Sequence, residues 1–376
     1  MSPAPTGAAP APRTRPGGTG AQQHDQRRRD ARFDTHADVH VAAALDHRGR
    51  LLGTHVLPAT PEGYASLEAW AAGLGTVERV GLEGTGCYGA GLSRWMRRRG
   101  HQVIEVNRPD RQMRHRKGKS DALDAEAAAR AVQAGIATAV PKSGDGAVEM
   151  IRALRVARRS AIKARTQAVN QLKSLIVTAS DSLREQLRGL HRTELIQTIT
   201  RWRPGTAPDS LTSVTKLAMR SIACRYRQLD DEISELDRHL QRLVDQAAPT
   251  LTAVKGLGTG TVASLLITVG DNPERLRSES AFAHLCGVAP IPASSGKTNR
   301  HRLNRGGDRQ ANHALYMIAV SRMAWEPRTR AYVARRTAEG KTKPEIIRCL
   351  KRHIAREVYR LLAPRTPRPS NHSATP

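Results

Sequence analysis

Four acidic side chains in the N-terminal third of the chain have the types and spacing of a metal site. Asp34 lies where a first strand is expected, and Glu83 directly follows the apolar residues 80–82 and precedes a glycine-rich turn. Asp121 and Asp124 are close enough on an alanine-rich helix to project from one face. Together these carboxylates could hold two Mg²⁺ ions, or Mn²⁺ in their place, because such ions prefer oxygen ligands. Two bound ions can activate an attacking oxygen and stabilise the leaving oxygen at phosphorus. Taken singly, each acid is better explained as a solvated surface group or a helix-end charge.

A serine-bearing loop in the C-terminal third is the second candidate. Residues 290–297 read Pro-Ile-Pro-Ala-Ser-Ser-Gly-Lys, and Ser295, beside the permissive Gly296, is the candidate nucleophile, with Ser294 left open. A serine hydroxyl is a weak nucleophile unless a base or a metal activates it. Composition alone favours a simpler alternative, a phosphate-binding loop without a covalent role. The basic residues expected to contact nucleic acid here are Lys297, Arg300, Arg302, Arg305 and Arg309.

The segment 254–260 resembles a helix-hairpin-helix motif, and Lys255, Gly256 and Gly258 are its candidate nucleic-acid contacts. In that motif, glycines let backbone N–H groups approach a DNA phosphate, and the following helix N-terminus favours the negative charge. A plain glycine-rich connection between two helices explains the same residues equally well.

Charge and cysteine usage narrow the class of protein. The chain has 61 Lys and Arg residues against 34 Asp and Glu residues, a formal charge of +27 over 376 residues. Such an excess attracts a polyanion, so nucleic acid is the leading partner. The four cysteines form no Cys-x-x-Cys pair, so neither a zinc ribbon nor a disulfide framework is expected. No apolar run approaches the length of a membrane span, and a cytoplasmic location is expected.

The elements that must position these residues change character along the chain. Apolar stretches of strand length alternate with amphipathic stretches in the N-terminal third, which predicts an α/β fold with a mixed sheet. The strands are expected at 39–45, 51–57, 77–82 and 102–106, and the helices at 61–72, 91–99 and 121–134. The predicted division is a disordered basic arm over 1–30, an α/β domain over 31–143, a helical coiled-coil region over 144–247, a mainly helical domain over 248–362 and a disordered tail over 363–376.

The helical region contains a coiled-coil pattern in its second half. Apolar residues there are separated alternately by three and four positions, which keeps them on one face of a supercoiled helix. An earlier helix, over 151–176, has a weaker apolar stripe that Arg158 and Arg165 interrupt. A long helical hairpin and an oligomerising coiled coil both explain the pattern. Its members are Met219, Ile222, Tyr226, Leu229, Ile233, Leu236, Leu240 and Leu243.

Taken in order, these motifs resemble the DEDD transposases of the insertion-sequence 110 family. The acidic segments 33–36, 82–86 and 119–125 resemble the three motifs of that family's RNase H-like (RuvC-like) domain. The C-terminal segments 287–297 and 304–309 resemble its transposase domain. The resemblance implies that Asp34, Glu83, Asp121 and Asp124 bind metal, and that Ser295 forms a transient phosphoserine link to DNA.

The resemblance also implies partners. These are the DNA of the element ends and of the target, a structured guide RNA, and further copies of the chain in a dimer or tetramer with composite sites, in the bacterial nucleoid. Two rival functions remain at this point. One is a junction-resolving nuclease that uses the carboxylates and water without a covalent intermediate. The other is a non-catalytic coiled-coil protein that binds nucleic acid.

Overall fold

The computed structural model describes residues 29–35, 37–106, 120–203, 205, 209–298 and 300–362, and for residues 29–35 it describes the backbone alone. The arm over residues 1–28 and the tail over 363–376 lie outside the described residues. So does most of the proline-containing segment 204–208 between the helices of the helical region.

A five-stranded mixed sheet forms the N-terminal unit. Its spatial order is β3-β2-β1-β4-β5, with β2 antiparallel to both β1 and β3, and with β1, β4 and β5 parallel to one another. The predicted α/β class is therefore confirmed, and each predicted strand and helix is present to within about two residues. The elements are β1 Arg29–Thr35, β2 Val39–Leu45, β3 Leu51–Pro58, α1 Pro61–Leu74, β4 Val77–Glu83, α2 Ala90–Arg98, β5 Gln102–Val106 and α3 Asp121–Gln133.

Helices cover both faces of this sheet, because successive side chains of a strand point to opposite faces. Leu82 and its neighbours on one face pack with residues of α1 and α2 such as Leu67 and Leu92. On the other face, Val41 and Ala43 pack against Ala125 of α3. Further along that face, α3 also packs on β5. The helix that carries two of the candidate acids is thus fixed to the sheet that carries the other two.

Two long helices form an antiparallel pair within the chain. Arg158 of one helix forms an ion pair with Asp237 of the other, and Arg165 does the same with Asp230. The arginines that interrupt the apolar stripe therefore set the register of the pair. Met219 of the predicted seam is fully buried inside the chain, so the seam belongs to a helical hairpin. The elements are α4 Ala147–Val177, α5 Asp181–Leu187, α6 Arg192–Arg201 and α7 Leu211–Ala247.

The C-terminal unit is mainly helical, as the sequence predicts. Phe282, Leu315 and Ile318 lie at the centre of its core, which Ile151 and Val244 from the base of the helical hairpin complete. Across the described ranges, no helix is both long enough and apolar enough to cross a membrane. The elements are α8 Pro249–Thr252, α9 Thr259–Val269, a 3₁₀ turn at Pro273–Arg275, α10 Glu279–Leu285, β6 Ile291–Pro292, β7 His301–Arg302, α11 Arg309–Trp325, α12 Pro327–Ala338 and α13 Lys343–Leu362.

A polar clasp joins the segment after α3 to the C-terminal unit. The carboxylate of Asp271 accepts hydrogen bonds from the backbone N–H groups of Gly146, at 3.3 Å, and Val148, at 2.6 Å. Asn272 accepts from Ser143 N at 3.0 Å and donates to Pro141 O at 3.0 Å. Since the first N–H groups of a helix have no partner within it, Asp271 supplies the N-terminal cap that α4 lacks locally.

Two backbone segments cross at close range near the serine loop. A Cβ atom added to Gly307 would lie 2.3 Å from the backbone nitrogen of Gly287 and 2.4 Å from its Cα. The crossing is held by Asp308 N, which donates to Leu285 O at 2.7 Å, and by the side chain of Asn304, which donates to His284 O at 2.9 Å. Only a glycine fits at position 307.

We expect Gly307→Ala to lower the free energy of unfolding of the C-terminal unit by about 1–3 kcal/mol or more, because the new methyl group meets backbone that cannot move aside. Gly306→Ala is the matched control, since its Cβ would have 3.5 Å to the nearest atom, Asn304 Oδ1. Chemical denaturation of the two variants should therefore show a large loss of stability for Gly307→Ala and a small one for Gly306→Ala. Equal stabilities would contradict the close crossing.

Candidate active site

Two of the candidate acids occupy neighbouring positions on parallel strands. Phe33 of β1 pairs with Leu82 of β4, so the next positions, those of Asp34 and Glu83, lie side by side near the carboxyl ends of both strands. Beyond Glu83 the chain turns at Gly84, whose φ of 65° suits glycine. The side chain of Asp34 lies outside what the structure describes.

The other two acids lie in the first turn of α3. Ser120 caps this helix, with its hydroxyl accepting a hydrogen bond from Leu123 N at 3.3 Å. Glu83 pairs with Val106, which packs on α3, so the alternation of side chains places Glu83 on the sheet face that α3 covers. The structure thus brings Glu83, Asp121 and Asp124 to one face of the sheet. Asp124 is nearly buried, with 5% of its surface exposed.

The four-carboxylate metal site remains a prediction. Among the side chains that the structure describes, no three histidine, cysteine, aspartate or glutamate residues lie close enough together to hold one ion. Asp34 is not among those side chains. The chemistry of the set still fits Mg²⁺, because all four members are carboxylates and this ion prefers oxygen ligands.

The sequence analysis missed a polar contact beside Glu83. The Thr85 hydroxyl donates to Glu105 Oε1 at 2.7 Å, and Glu105 N donates to Ala139 O at 2.7 Å. The turn after β4 is thereby tied to the end of β5 and to the segment that leads into the clasp. A charged residue within the apolar strand 102–106 was the available signal.

Ser295 lies at the tip of a β-hairpin. Its N–H donates to Thr298 O at 3.2 Å and its carbonyl accepts from Thr298 N at 3.1 Å, which closes a two-residue turn through Gly296 and Lys297. Gly296 has a φ of 54°, a conformation that glycine adopts at little cost. Residues 292–298 are all exposed. The hairpin therefore presents Ser295 to whatever docks on it.

The two serines of the hairpin differ in what their hydroxyls do. Ser294 Oγ accepts from Arg300 N at 3.1 Å and donates to Arg300 O at 3.3 Å, so it links the two arms. The Ser295 hydroxyl has no hydrogen-bond partner among the residues that the structure describes. Cys286, near the base of the hairpin, is an unsuitable nucleophile because burial raises the pKa of its thiol to about 12.

A basic cleft of about 1260 Å³ opens at the base of the hairpin, between α11, α12 and α13. Its lining contains six arginines and two lysines and no aspartate or glutamate. Three predicted contacts, Arg302, Arg305 and Arg309, lie in it, whereas Lys297 and Arg300 lie on the exposed hairpin outside it. The sequence analysis missed the part of the cleft that α12 and α13 contribute.

The predicted helix-hairpin-helix residues form the turn between α8 and α9. Gly256 has a φ of 91°, and Gly258 directly precedes α9. The ammonium of Lys255 lies 4.7 Å from the centre of the Trp325 ring, which is a cation–π contact. The local geometry is that of two helices joined by a glycine turn, and contact with DNA there remains a prediction.

Comparison with known proteins adds a family to this geometry. A family model for DEDD transposases of the IS110 type, described as "Transposase", matches residues 33–180. A second model, described as "Transposase IS116/IS110/IS902 family", matches residues 248–334. The first covers most of the sheet, α3 and the whole of α4, and the second covers the serine hairpin and part of the basic cleft.

Individual relatives of the chain include proteins of the same kind of mobile element. The chain is 29% identical over 154 residues to "Insertion element IS110 uncharacterized 43.6 kDa protein" of Streptomyces coelicolor, which is 40% of this chain and 38% of that protein. It is 27% identical over 150 residues to "Pilin gene-inverting protein" of Moraxella bovis, 38% of this chain and 46% of that protein. It is 25% identical over 238 residues to "Transposase for insertion sequence element IS1328" of Yersinia enterocolitica, 62% of this chain and 68% of that protein. The match thus spans less than half the length of the first two relatives. With both family models matched in chain order over more than half of its residues, the chain belongs to the IS110 family of DEDD transposases.

Proposed function

We propose that this protein cuts and rejoins DNA strands at the ends of an insertion element, using the four carboxylates with bound Mg²⁺ and Ser295 as nucleophile. One observation carries the proposal. The positions of Asp34 and Glu83 are adjacent on parallel strands, and α3 covers the face of Glu83 with Asp121 and Asp124 in its first turn. Names of relatives that refer to transposition and gene inversion support the same reaction class.

In this proposal Asp34, Glu83, Asp121 and Asp124 hold the metal at the carboxyl ends of β1 and β4. When bound, Mg²⁺ stabilises negative charge on the oxygens of a scissile phosphate. The carboxylates fix its place, and the packing of α3 on the sheet limits their movement. This mixed sheet, with its order 3-2-1-4-5 and helices on both faces, is the arrangement we associate with an RNase H-like fold.

Ser295 supplies the nucleophilic oxygen. Its Oγ forms a bond to phosphorus, the bond from phosphorus to one bridging oxygen breaks, and that oxygen leaves as a strand-terminal hydroxyl with a proton. The serine proton passes to a base or to solvent. A hydroxyl of the joining strand then attacks the same phosphorus, and Ser295 leaves with its proton restored. Because the phosphodiester is conserved throughout, rejoining requires no ATP.

The proposed partners are suggested by the positive charge of the chain and by the location of the carboxylates and Ser295 in different units of the chain. The carboxylates belong to the N-terminal unit and the hydroxyl to the exposed tip of the C-terminal hairpin. We therefore propose that the sites assemble between copies of the chain, as a dimer or tetramer, on DNA. A structured RNA that pairs with donor and target DNA is the second nucleic acid that we propose; the resemblance to the family implies it, and the positive charge of the chain is compatible with it.

The first test concerns the covalent intermediate. Incubating the full-length protein with a labelled element-end duplex should trap a protein–DNA adduct, which Ser295→Ala abolishes since no other atom at that position can bond to phosphorus. Ser294→Ala is the matched control: it removes the contact with Arg300 but should retain the adduct. If Ser294→Ala loses the adduct and Ser295→Ala keeps it, the nucleophile is Ser294; if wild-type protein cleaves without any adduct, the hydrolytic nuclease is correct.

The second test concerns the carboxylates. We expect Glu83→Gln to lower strand transfer by at least about a hundredfold, the scale of removing one electrostatic stabiliser of a transition state, with nearly unchanged DNA retention. Mg²⁺ should also raise the melting temperature of the wild-type protein more than that of the variant, because a ligand that binds the folded state stabilises it. Glu235→Gln, on the exposed side of α7, is the control and should behave as wild type. Unchanged transfer in Glu83→Gln would favour a non-catalytic DNA-binding protein.

A further inference from the structure

We infer that the basic cleft between α11, α12 and α13 binds a single-stranded segment of nucleic acid and leads it to the serine hairpin. The inference deepens the proposed function, on which it rests only for the statement that nucleic acid is the substrate. The cleft is distinct from the carboxylates and from the exposed hairpin tip. It is formed by residues of the C-terminal unit alone.

First, ion pairs balance the positive charge of the cleft lining only in part. Arg336 and Arg352 form ion pairs with Glu339 and Glu279. The remaining arginines form no ion pair with an acid anywhere in the described part of the chain. Four guanidinium groups thus face a cavity without carboxylates, where like charges repel unless an anion separates them. They are Arg302, Arg305, Arg309 and Arg348.

The second argument is that the cleft also offers ring faces. Tyr316 of α11 is 41% exposed although it is a large ring. Its ring lies nearly parallel to that of His313, with centroids 6.3 Å apart. Across the cleft, Tyr332 and His353 meet edge to face at 5.8 Å. Aromatic rings among cations are the arrangement with which proteins bind single strands, because each unpaired base has a face that can stack.

The third argument is size. A cavity of about 1260 Å³ is only somewhat larger than a small-molecule pocket of about 300–1,000 Å³. It therefore has room for a few unstacked nucleotides. In a duplex, moreover, the bases are paired with each other and their faces are covered by neighbours, so the exposed ring of Tyr316 would find no base face to contact.

The fourth argument is continuity with the nucleophile. Arg302 lies in β7, the returning arm of the hairpin, and also lines the cleft together with Arg305. Lys297 and Arg300, which the sequence analysis predicts as nucleic-acid contacts, continue the positive charge from the cleft to the hairpin tip. A strand held in the cleft by its phosphates would thus pass along the hairpin towards Ser295.

The test is binding of the full-length protein to fluorescein-labelled oligonucleotides of one sequence, as single-stranded DNA, single-stranded RNA and duplex DNA. Tyr316→Leu should weaken single-strand binding about tenfold, the scale of losing one stacked base, and Tyr316→Phe should restore it. Arg348→Gln should make the slope of log affinity against log salt shallower by about 0.7, the value for one phosphate contact on a single strand. Stronger loss on the DNA or on the RNA arm identifies which strand the cleft takes.

Arg238→Gln, an exposed arginine of α7 remote from the cleft, is the matched control and should leave each affinity unchanged. Unaltered single-strand affinity in both cleft variants, or an equal loss for duplex DNA, would overturn the inference. The adduct assay keeps the two proposals apart: failure of the cleft leaves the Ser295 adduct in place, and failure of the adduct leaves single-strand binding in place. Thermal unfolding confirms that each variant is folded.

Discussion

Parallel pairing of β1 with β4 is the constraint on which the acidic half of the molecule depends. Pairing of Phe33 with Leu82 sets the positions of Asp34 and Glu83 side by side. Because the period of a strand is two residues, a slip by one residue would turn Glu83 to the opposite face of the sheet. That face is covered by α1 and α2 and carries Glu105 in contact with Thr85. Burial of both faces therefore fixes the register, and the register fixes where the acids lie.

Hydrogen bonds at the C-terminal end of α3 also help to position the acids. Arg130 donates to Gly49 O at 2.9 Å, and the side-chain amide of Gln133 donates to Asp46 O at 2.7 Å. These bonds hold the helix against the β2–β3 turn. The other end of α3, with Asp121 and Asp124, is thereby aimed along the sheet towards Glu83. A polar contact three helical turns away thus helps to set the position of two carboxylates.

In the C-terminal unit the charges that matter are arginines, some in ion pairs with acids and some without. Behind the basic cleft, Arg322 forms a two-pronged contact with Glu357, at 2.6 and 2.9 Å, and joins α11 to α13. That contact raises the pKa of Arg322 still further, so its guanidinium stays charged at any physiological pH. Helices α11 and α12 contain no aspartate or glutamate, and four arginines that form no ion pair among the described residues line the cleft. Self-repulsion within the cleft costs stability, which the core around Phe282 and Leu315 must offset.

Structural features that depend on residues close in sequence, such as turns and helix caps, could be predicted from the sequence. Features that depend on contacts between distant residues could not. The β2–β3 hairpin was predictable because Asp46 accepts from Arg48 and Arg50 within its own turn. The α3 cap was predictable because Ser120 caps its own helix. The seam of α7 was predictable as a periodicity, but the identity of its partner, α4, was not.

Long-range contacts explain the rest. In the sequence, Arg158 and Arg165 only interrupt an apolar stripe. In the structure, they form ion pairs with Asp237 and Asp230 of the other long helix. The sequence around Gly307 does not show that its backbone crosses that of Gly287. The basic cleft combines residues of three helices and a hairpin. Because these residues are far apart in sequence, the sequence alone does not show that they share one surface.

The exposure of Ser295 has a chemical meaning within the proposed reaction. A hydroxyl at the tip of a solvent-exposed hairpin, with no base beside it in the described residues, remains a weak nucleophile. The Ser294–Arg300 contacts and the Gly296 turn fix the geometry of the hairpin, so little ordering is required when it docks. Activation must then come from the surface that the hairpin meets. If that surface is the carboxylate face of another copy, the serine reacts only in a complete assembly on DNA. A lone chain that binds DNA through its positive charge would then be unable to cut it.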